Sequence, residues 1–387
     1  MTIKKLAYCV QQQLQASTGV SFKRAHIYEL LAASFGYSSY AGLGAEAVFT
    51  EKSFSSRRPK ANALLIHERC LGLAYGTSVA KLVSDTLPAF LTDSGIGLIK
   101  TTDLVAYLQV GAFRSDDDEA EMSEGEGDDW DAEDDLWVES LALTSPILLE
   151  GLESAAQRNH ALAHYALALI YGSDEDGHER ETGSAYWYGR AKAGWVLSGV
   201  EKEWADAHAL ILSKVEKHQR HLREAARLGH PEALLDIADQ FGDPAFFGHD
   251  FDESRVDLAR VAAIAERLDR HDDAHLWLTK MAQSGDVQAL LRLIEDYDHD
   301  NLLQCWTWVY LSQLVGTDLL ADDYRAIHED GSDYDDDVGG PLFVDGRDGV
   351  ELEPIAAQDD AIARRMALEI FTKIESSKPK PNGASRC

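Results

Sequence analysis

Three histidine pairs in this chain stand at spacings that could aim two ring nitrogens from one helical face. His160 and His164 are four apart, as are His271 and His275, while His218 and His221 are three apart. A zinc site needs three or four such ligands. No pair has a third ligand at a suitable offset, and His160 opens a stretch whose later counterparts begin with His230 and Asp286, a helix-start position suited to capping. No metal and no other cofactor is therefore expected. Cys9, Cys70, Cys305 and Cys387 are far apart and read as reduced thiols. The motifs G-x-x-x-x-G-K-[ST], G-x-S-x-G and H-E-x-x-H do not occur, and Gly95-Ile96-Gly97 lacks the third glycine of a dinucleotide fingerprint. No catalytic residue is expected.

Aromatic side chains are the other residue type here able to make a site. Tyr186, Trp187, Tyr188 and Trp195 lie close in sequence, as do Trp306 and Trp308. Large aromatics anchor partners at interface hot spots. Trp187 and Trp277 are expected in the core, whereas Tyr188, Trp195 and Trp308 are the expected partner contacts.

The elements that must position these residues announce themselves by recurrence. The chain reads A-A-Q-R-N-H-A-L-A from Ala155, A-A-R-L-G-H-P-E-A from Ala225 and M-A-Q-S-G-D-V-Q-A from Met281. Each phrase is a helix end, a tight corner and a new helix start. Asn159, Gly194 and Gly229 occupy the corner at two successive intervals of 35 residues. The next corner, Gly285, comes 56 residues later, and the excess falls on a segment near 242–270 containing Pro244, Gly248 and Asp250, with an extra helix from about Asp252 to Leu268. Repetition of one helix–turn–helix unit predicts a helical solenoid, in which neighbours must stack to bury each pair's apolar face. Ser145-Pro146 supplies a cap and a first-turn proline for the first copy.

Upstream, Ile3, Leu6, Ala7, Val10 and Leu14 make one apolar stripe. Gly19 ends it, Ser21 could cap a second helix, and Ser38-Ser39 starts a third. Two or three more helices are expected over 61–112. Ala32 and Gly36, four apart, fit a helix-turn-helix, which would let this region contact DNA. Charge divides the chain. Residues 1–114 hold 12 Lys/Arg against 7 Asp/Glu, whereas the whole chain is at −31. Thirteen of the twenty residues 116–135 are acidic, which predicts an unfolded linker. An acidic body repels phosphate chains, so nucleic acid is not expected except through residues 1–114, and a basic partner is favoured. No apolar run is long enough to cross a membrane, and the first residues lack a signal-peptide core.

The repeat residues resemble the Sel-one-like family, relatives of the tetratricopeptide repeat. The resemblance rests on Ala185, Trp187, Ala191 and Gly194; on Ala225, Gly229, Ala233, Ile237 and Phe241; and on Ala274, Trp277, Met281, Gly285, Ala289, Leu293 and Tyr297. The first copy keeps Ala155, Ala163, Leu167 and Tyr171 with Asn159 at the corner. It covers roughly residues 145–316 and implies an adaptor role without catalytic residues. The expected architecture is all-α, an irregular helical-repeat solenoid behind a small N-terminal helical domain. Its parts are a mildly basic helical domain (1–114), an acidic linker (115–140), repeats (141–328), an acidic loop (329–353), a capping helix (354–376) and a disordered tail (377–387). The expected function is a cytoplasmic, non-catalytic protein–protein scaffold. The alternatives are a regulator whose N-terminal unit contacts DNA, and a divergent all-α enzyme.

Overall fold

Ala and Leu at three- and four-residue spacings drive most of this chain into helix. The computed structural model describes residues 1–51, 62–113, 143–172, 182–251, 256–329, 331–334 and 341–377. These form sixteen α-helices and four short strands, so the class is all-α with two small β-pairs. They divide into two compact units, Met1–Ile237 and Ala238–Cys387. The boundary expected after residue 114 falls inside the first unit. The acidic linker 115–140 and the tail from 378 lie outside the described residues.

The first unit opens with α1 (Ile3–Thr18), α2 (Arg24–Ser34) and α3 (Tyr40–Glu46). Gly19 ends α1 at φ +71°, and Ser39 caps α3 by accepting from Gly42 N at 3.0 Å. Ser21 does not cap α2, which starts after Lys23 without a side-chain cap. Strand β1 (Ala47–Glu51) then pairs antiparallel with β2 (Ile96–Lys100), Ala47 opposite Lys100 and Glu51 opposite Ile96. Short apolar runs such as Val48-Phe49-Thr50 do not distinguish strand from helix by periodicity, which is why a purely helical segment is expected there. Between the strands lie α4 (Ala63–Gly72) and α5 (Thr77–Asp93), and α6 (Thr101–Phe113) follows β2. The expected stripe of α1 is buried against Ile27, Leu30, Leu31, Ile66, Val83 and Leu87.

The repeat region continues the same unit with α7 (Pro146–Ala156), α8 (Ala161–Gly172), α9 (Thr182–Lys192), α10 (Val200–Arg227) and the first part of α11 (Pro231–Phe241), whose residues from Ala238 belong to the second unit. Helix α7 packs on β1 and α1, and α6 packs on α8. Ile147 belongs to the N-terminal core, and Gly151 approaches Val48 so closely that a Cβ would lie 3.2 Å from it. Ser145 stands at the N-cap of α7, but its hydroxyl makes no cap bond and is buried without a partner among the described residues. Helix α10 is one 28-residue element. The second helix of the middle copy and the first helix of the next are therefore continuous, with no corner between them. Its length follows from a charged, Ala-rich stretch without Gly or Pro.

The second unit contains α12 (Leu258–Arg267), α13 (His271–Ser284), α14 (Val287–Arg292), a π-helical turn (Leu293–Tyr297) and α15 (Leu302–Val315). The expected insertion is part of the packing: α12 pairs with α13, and Ala262 joins a core with Leu278, Leu290, Val309 and Leu311. Beyond α15, β3 (Asp323–Ile327) pairs antiparallel with β4 (Phe343–Arg347). Part of the expected acidic loop is thus a strand; residues 330 and 335–340 lie outside the described residues. The last helix, α16 (Ala357–Ser377), packs along α15 through Ala363 and Ala367.

Candidate functional site

The recurrent corner is the smallest constructed feature. Asn159, Gly194, Gly229 and Gly285 all have positive φ, at +61°, +89°, +82° and +95°. At each, the following N–H reaches back five residues to a helix carbonyl: His160 to Ala155, Trp195 to Arg190, His230 to Ala225 and Asp286 to Met281. This is the bonding of a helix end in which one left-handed residue turns the chain. Three of the new helices are capped by the residue after the corner: His160 Nδ1 accepts from Ala163 N (3.2 Å), His230 Nδ1 from Ala233 N (3.5 Å) and Asp286 Oδ1 from Ala289 N (2.9 Å). The sequence reading missed a further corner of the same kind at Asp269, φ +55°, where Arg270 N bonds to Ala265 O. Arg267-Leu268 before Asp269 repeats Arg227-Leu228 before Gly229, a signal that was present but carried by Asp in place of Gly.

The expected aromatic contacts separate by burial. Trp195 is 58% exposed, with the Arg190 guanidinium 3.7 Å from its ring centroid. Tyr188 is half-buried, beside His208 and under Lys192. Trp308 is 2% exposed, and its Nε1 donates to Asp298 Oδ2 at 2.7 Å. It is a core residue, and the partner contact expected there is corrected: α15 is apolar on nearly all sides, so periodicity could not tell which face was buried. Trp187 and Trp277, expected in the core, are half-buried.

The histidines pair across helices and not along them. His164 Nε2 lies 3.1 Å from the Ala156 carbonyl, which can only accept, so Nε2 carries the proton and Nδ1 accepts. His221 Nδ1, 3.0 Å away, is then the donor, and its Nε2 accepts from Arg220 Nη2 at 2.9 Å. Tyr171 stacks on His221, and Glu153 Oε1 lies 3.5 Å from its Nε2. Burial, with Arg220 and His164 beside it, pushes the His221 imidazole down to about 4, and burial lowers His164 as well. One turn away, His218 Nδ1 lies 2.8 Å from Ala168 O. These rings join α7, α8 and α10.

In the second unit the π turn places one acceptor, Asp298 at its end, and one donor, Tyr297. Asp298 takes His275 Nε2 at 3.0 Å and Trp308 Nε1, and its carbonyl accepts from Cys305 Sγ at 3.0 Å. Glu266 accepts from Tyr297 Oη at 2.8 Å and pairs with Arg292. Burial alone would raise the Glu266 carboxyl, but the bonds from Arg292 and Tyr297 outweigh it and hold it below its ordinary value. Burial pushes the Cys305 and Cys70 thiols up to about 11, which leaves them poor nucleophiles. No group of three or more His, Cys, Asp or Glu side chains among the described residues could hold a metal ion. An open cleft of about 720 Å³ lies nearby, lined by Glu295, Asp300, Asp348, Glu351 and Glu353 with Arg347 and His299.

The helix-turn-helix candidate has its left-handed corner at Gly36, φ +89°. Its second helix, α3, spans seven residues, carries no Lys or Arg, buries Leu43 and runs directly into β1. That is a poor surface for phosphate contacts. No described helix is long and apolar enough to cross a membrane. No family model, curated protein or solved structure matches the chain.

Proposed function

We propose that this chain is a non-catalytic scaffold of Sel-one-like helical repeats that holds a protein or peptide partner, in the cytoplasm. The observation that carries the reading is the shared corner. One sequence phrase gives one left-handed turn and one pair of backbone bonds, with Ala163, Ala233 or Ala289 buried at the same offset after it. Small residues there let helices approach to roughly 8–10 Å, as stacked helix pairs require. Free Cys9, Cys70 and Cys305 suit a reducing compartment. A basic partner is favoured by the charge of −31 and by the acidic lining of the cleft around Glu351 and Glu353.

Affinity capture with the full chain from its native cells tests this. A stoichiometric protein, released by salt and bound about tenfold more weakly by the Glu351→Lys/Glu353→Lys double variant, is the expected result. Capture of nothing stoichiometric at moderate ionic strength counts against the scaffold reading.

A further inference from the structure

The hairpin of α9 with the first half of α10 departs from the rest of the first unit. Seven of the twenty large apolar residues that the described surface exposes lie between Tyr186 and Leu212. On α10 an apolar stripe recurs at every third or fourth residue from Val200 to Val215, the spacing of a helix–helix seam, with His218 in step before it resumes at Leu222 and Ala225. Its C-terminal end is buried against α8, with Leu222 and Ala225 at 0% exposure. Toward the N-terminus the cover thins: Trp204 rests its ring edge over Gly183 yet is 46% exposed, and Val200 is 55% exposed. Leu210, on a neighbouring face, is 60% exposed. A seam continuous with the core thus runs out of partner helix among the described residues.

We propose that this arm is the surface on which a second copy of the chain docks, the two hairpins forming a four-helix contact about a twofold axis. Charge selects that occupant. Residues 182–213 hold Arg190, Lys192 and Lys202 against Glu201, Glu203 and Asp206, a balance of zero in a chain at −31. A basic protein is drawn to the acidic body and gains nothing at a neutral arm. Two copies of an acidic chain pairing like patch to like patch, by contrast, escape mutual repulsion where the patch is balanced, as this arm is. Symmetric pairing of one patch with itself is also the commonest arrangement of like chains. A face about 20 Å long and two helices wide sits at the small end of specific interfaces, which implies association in the micromolar range. Self-association is independent of whether a foreign partner is held elsewhere.

The salt response distinguishes the occupants. Screening weakens repulsion between the two acidic bodies, so the dimer strengthens with salt, whereas docking of a basic partner weakens. Sedimentation velocity on the full chain at about 10–100 μM, in about 50 and about 500 mM salt, is expected to show a monomer–dimer equilibrium shifting toward dimer at the higher salt. Trp204→Glu and Val200→Glu are each expected to weaken it by about thirtyfold or more, with unchanged circular dichroism. Leu64→Glu, at a 66% exposed position on α4, is expected to leave it intact. A monomer under all these conditions, a dimer that weakens with salt, or one indifferent to both arm variants overturns the proposal. So does loss of a captured foreign protein on Trp204→Glu in a chain that stays monomeric.

Discussion

His221 is bonded through both ring nitrogens, donating to His164 from Nδ1 and accepting from Arg220 at Nε2, and the second bond fails when Nε2 gains a proton. Burial, with the Arg220 cation beside the ring, sets the folded protein against protonation here, at a value of about 4 against the ordinary 6.5. The sign follows. Above pH 6.5 the ring is neutral folded or unfolded, so its contribution is fully present. Below that, the unfolded chain takes up a proton the folded one refuses, and stability falls until the folded ring titrates near pH 4. A loss on the order of 3 kcal/mol across this window is expected from linkage, read as a falling melting temperature. His221→Gln should flatten that slope. Ser145 offers the opposite kind of test. Its buried hydroxyl has no partner among the described residues, so Ser145→Ala is expected to be neutral or stabilising by up to about 1 kcal/mol in chemical unfolding. The helical spacing of His160 and His164 was legible in sequence. The pairing of His164 with His221, 57 residues apart, was not, because nothing local specifies which turn of a distant helix will face a ring.

Among the elements, the corners are the most closely specified. Gly285 has φ +95°, and a Cβ added there would meet Val315 and Ile374 only at ordinary contact distance, 3.5 and 3.6 Å. Gly285→Ala should thus cost about 1–2 kcal/mol from backbone strain alone. Asn159→Gly, at a corner already filled by a residue that tolerates this conformation, should change the unfolding free energy by less than about 0.5 kcal/mol. Gly172 is different in kind. It ends α8 where a Cβ would lie 2.7 Å from His218 Nδ1, a nitrogen held 2.8 Å from Ala168 O. Gly172→Ala must displace that ring, at an expected cost of about 1–3 kcal/mol. The helices and most of their ends were readable because caps and corners act within five residues. The unbroken α10 was less so: Val200–Arg227 carries no corner phrase, but the 35-residue spacing of Gly194 and Gly229 implies a second turn between them.

At the scale of the molecule, the first 113 residues and the first repeat helices share one core. Ile3 N donates to Glu150 Oε2 at 2.8 Å, Arg158 Nη2 donates to Gly44 O at 2.8 Å, and Ile147 is buried among N-terminal residues. A fragment starting at residue 143 should therefore expose apolar surface on α7 and α8, and either aggregate or melt at least about 5 °C below the full chain by circular dichroism. An unchanged melting temperature would mean that the shared core contributes little. Composition and short-range pattern by themselves determined the helical class, the corner residues, the caps at His160, His230 and Asp286, and the uneven charge, because each is fixed by sterics, hydrogen bonds or counting within a few residues. Only the tertiary structure decided that Trp308 lies inside and Trp195 outside, that Val48-Phe49-Thr50 pairs with a strand about fifty residues away, and that histidines from different copies meet. Those outcomes depend on which of several equally apolar faces bury one another, a choice made by the whole chain closing its core.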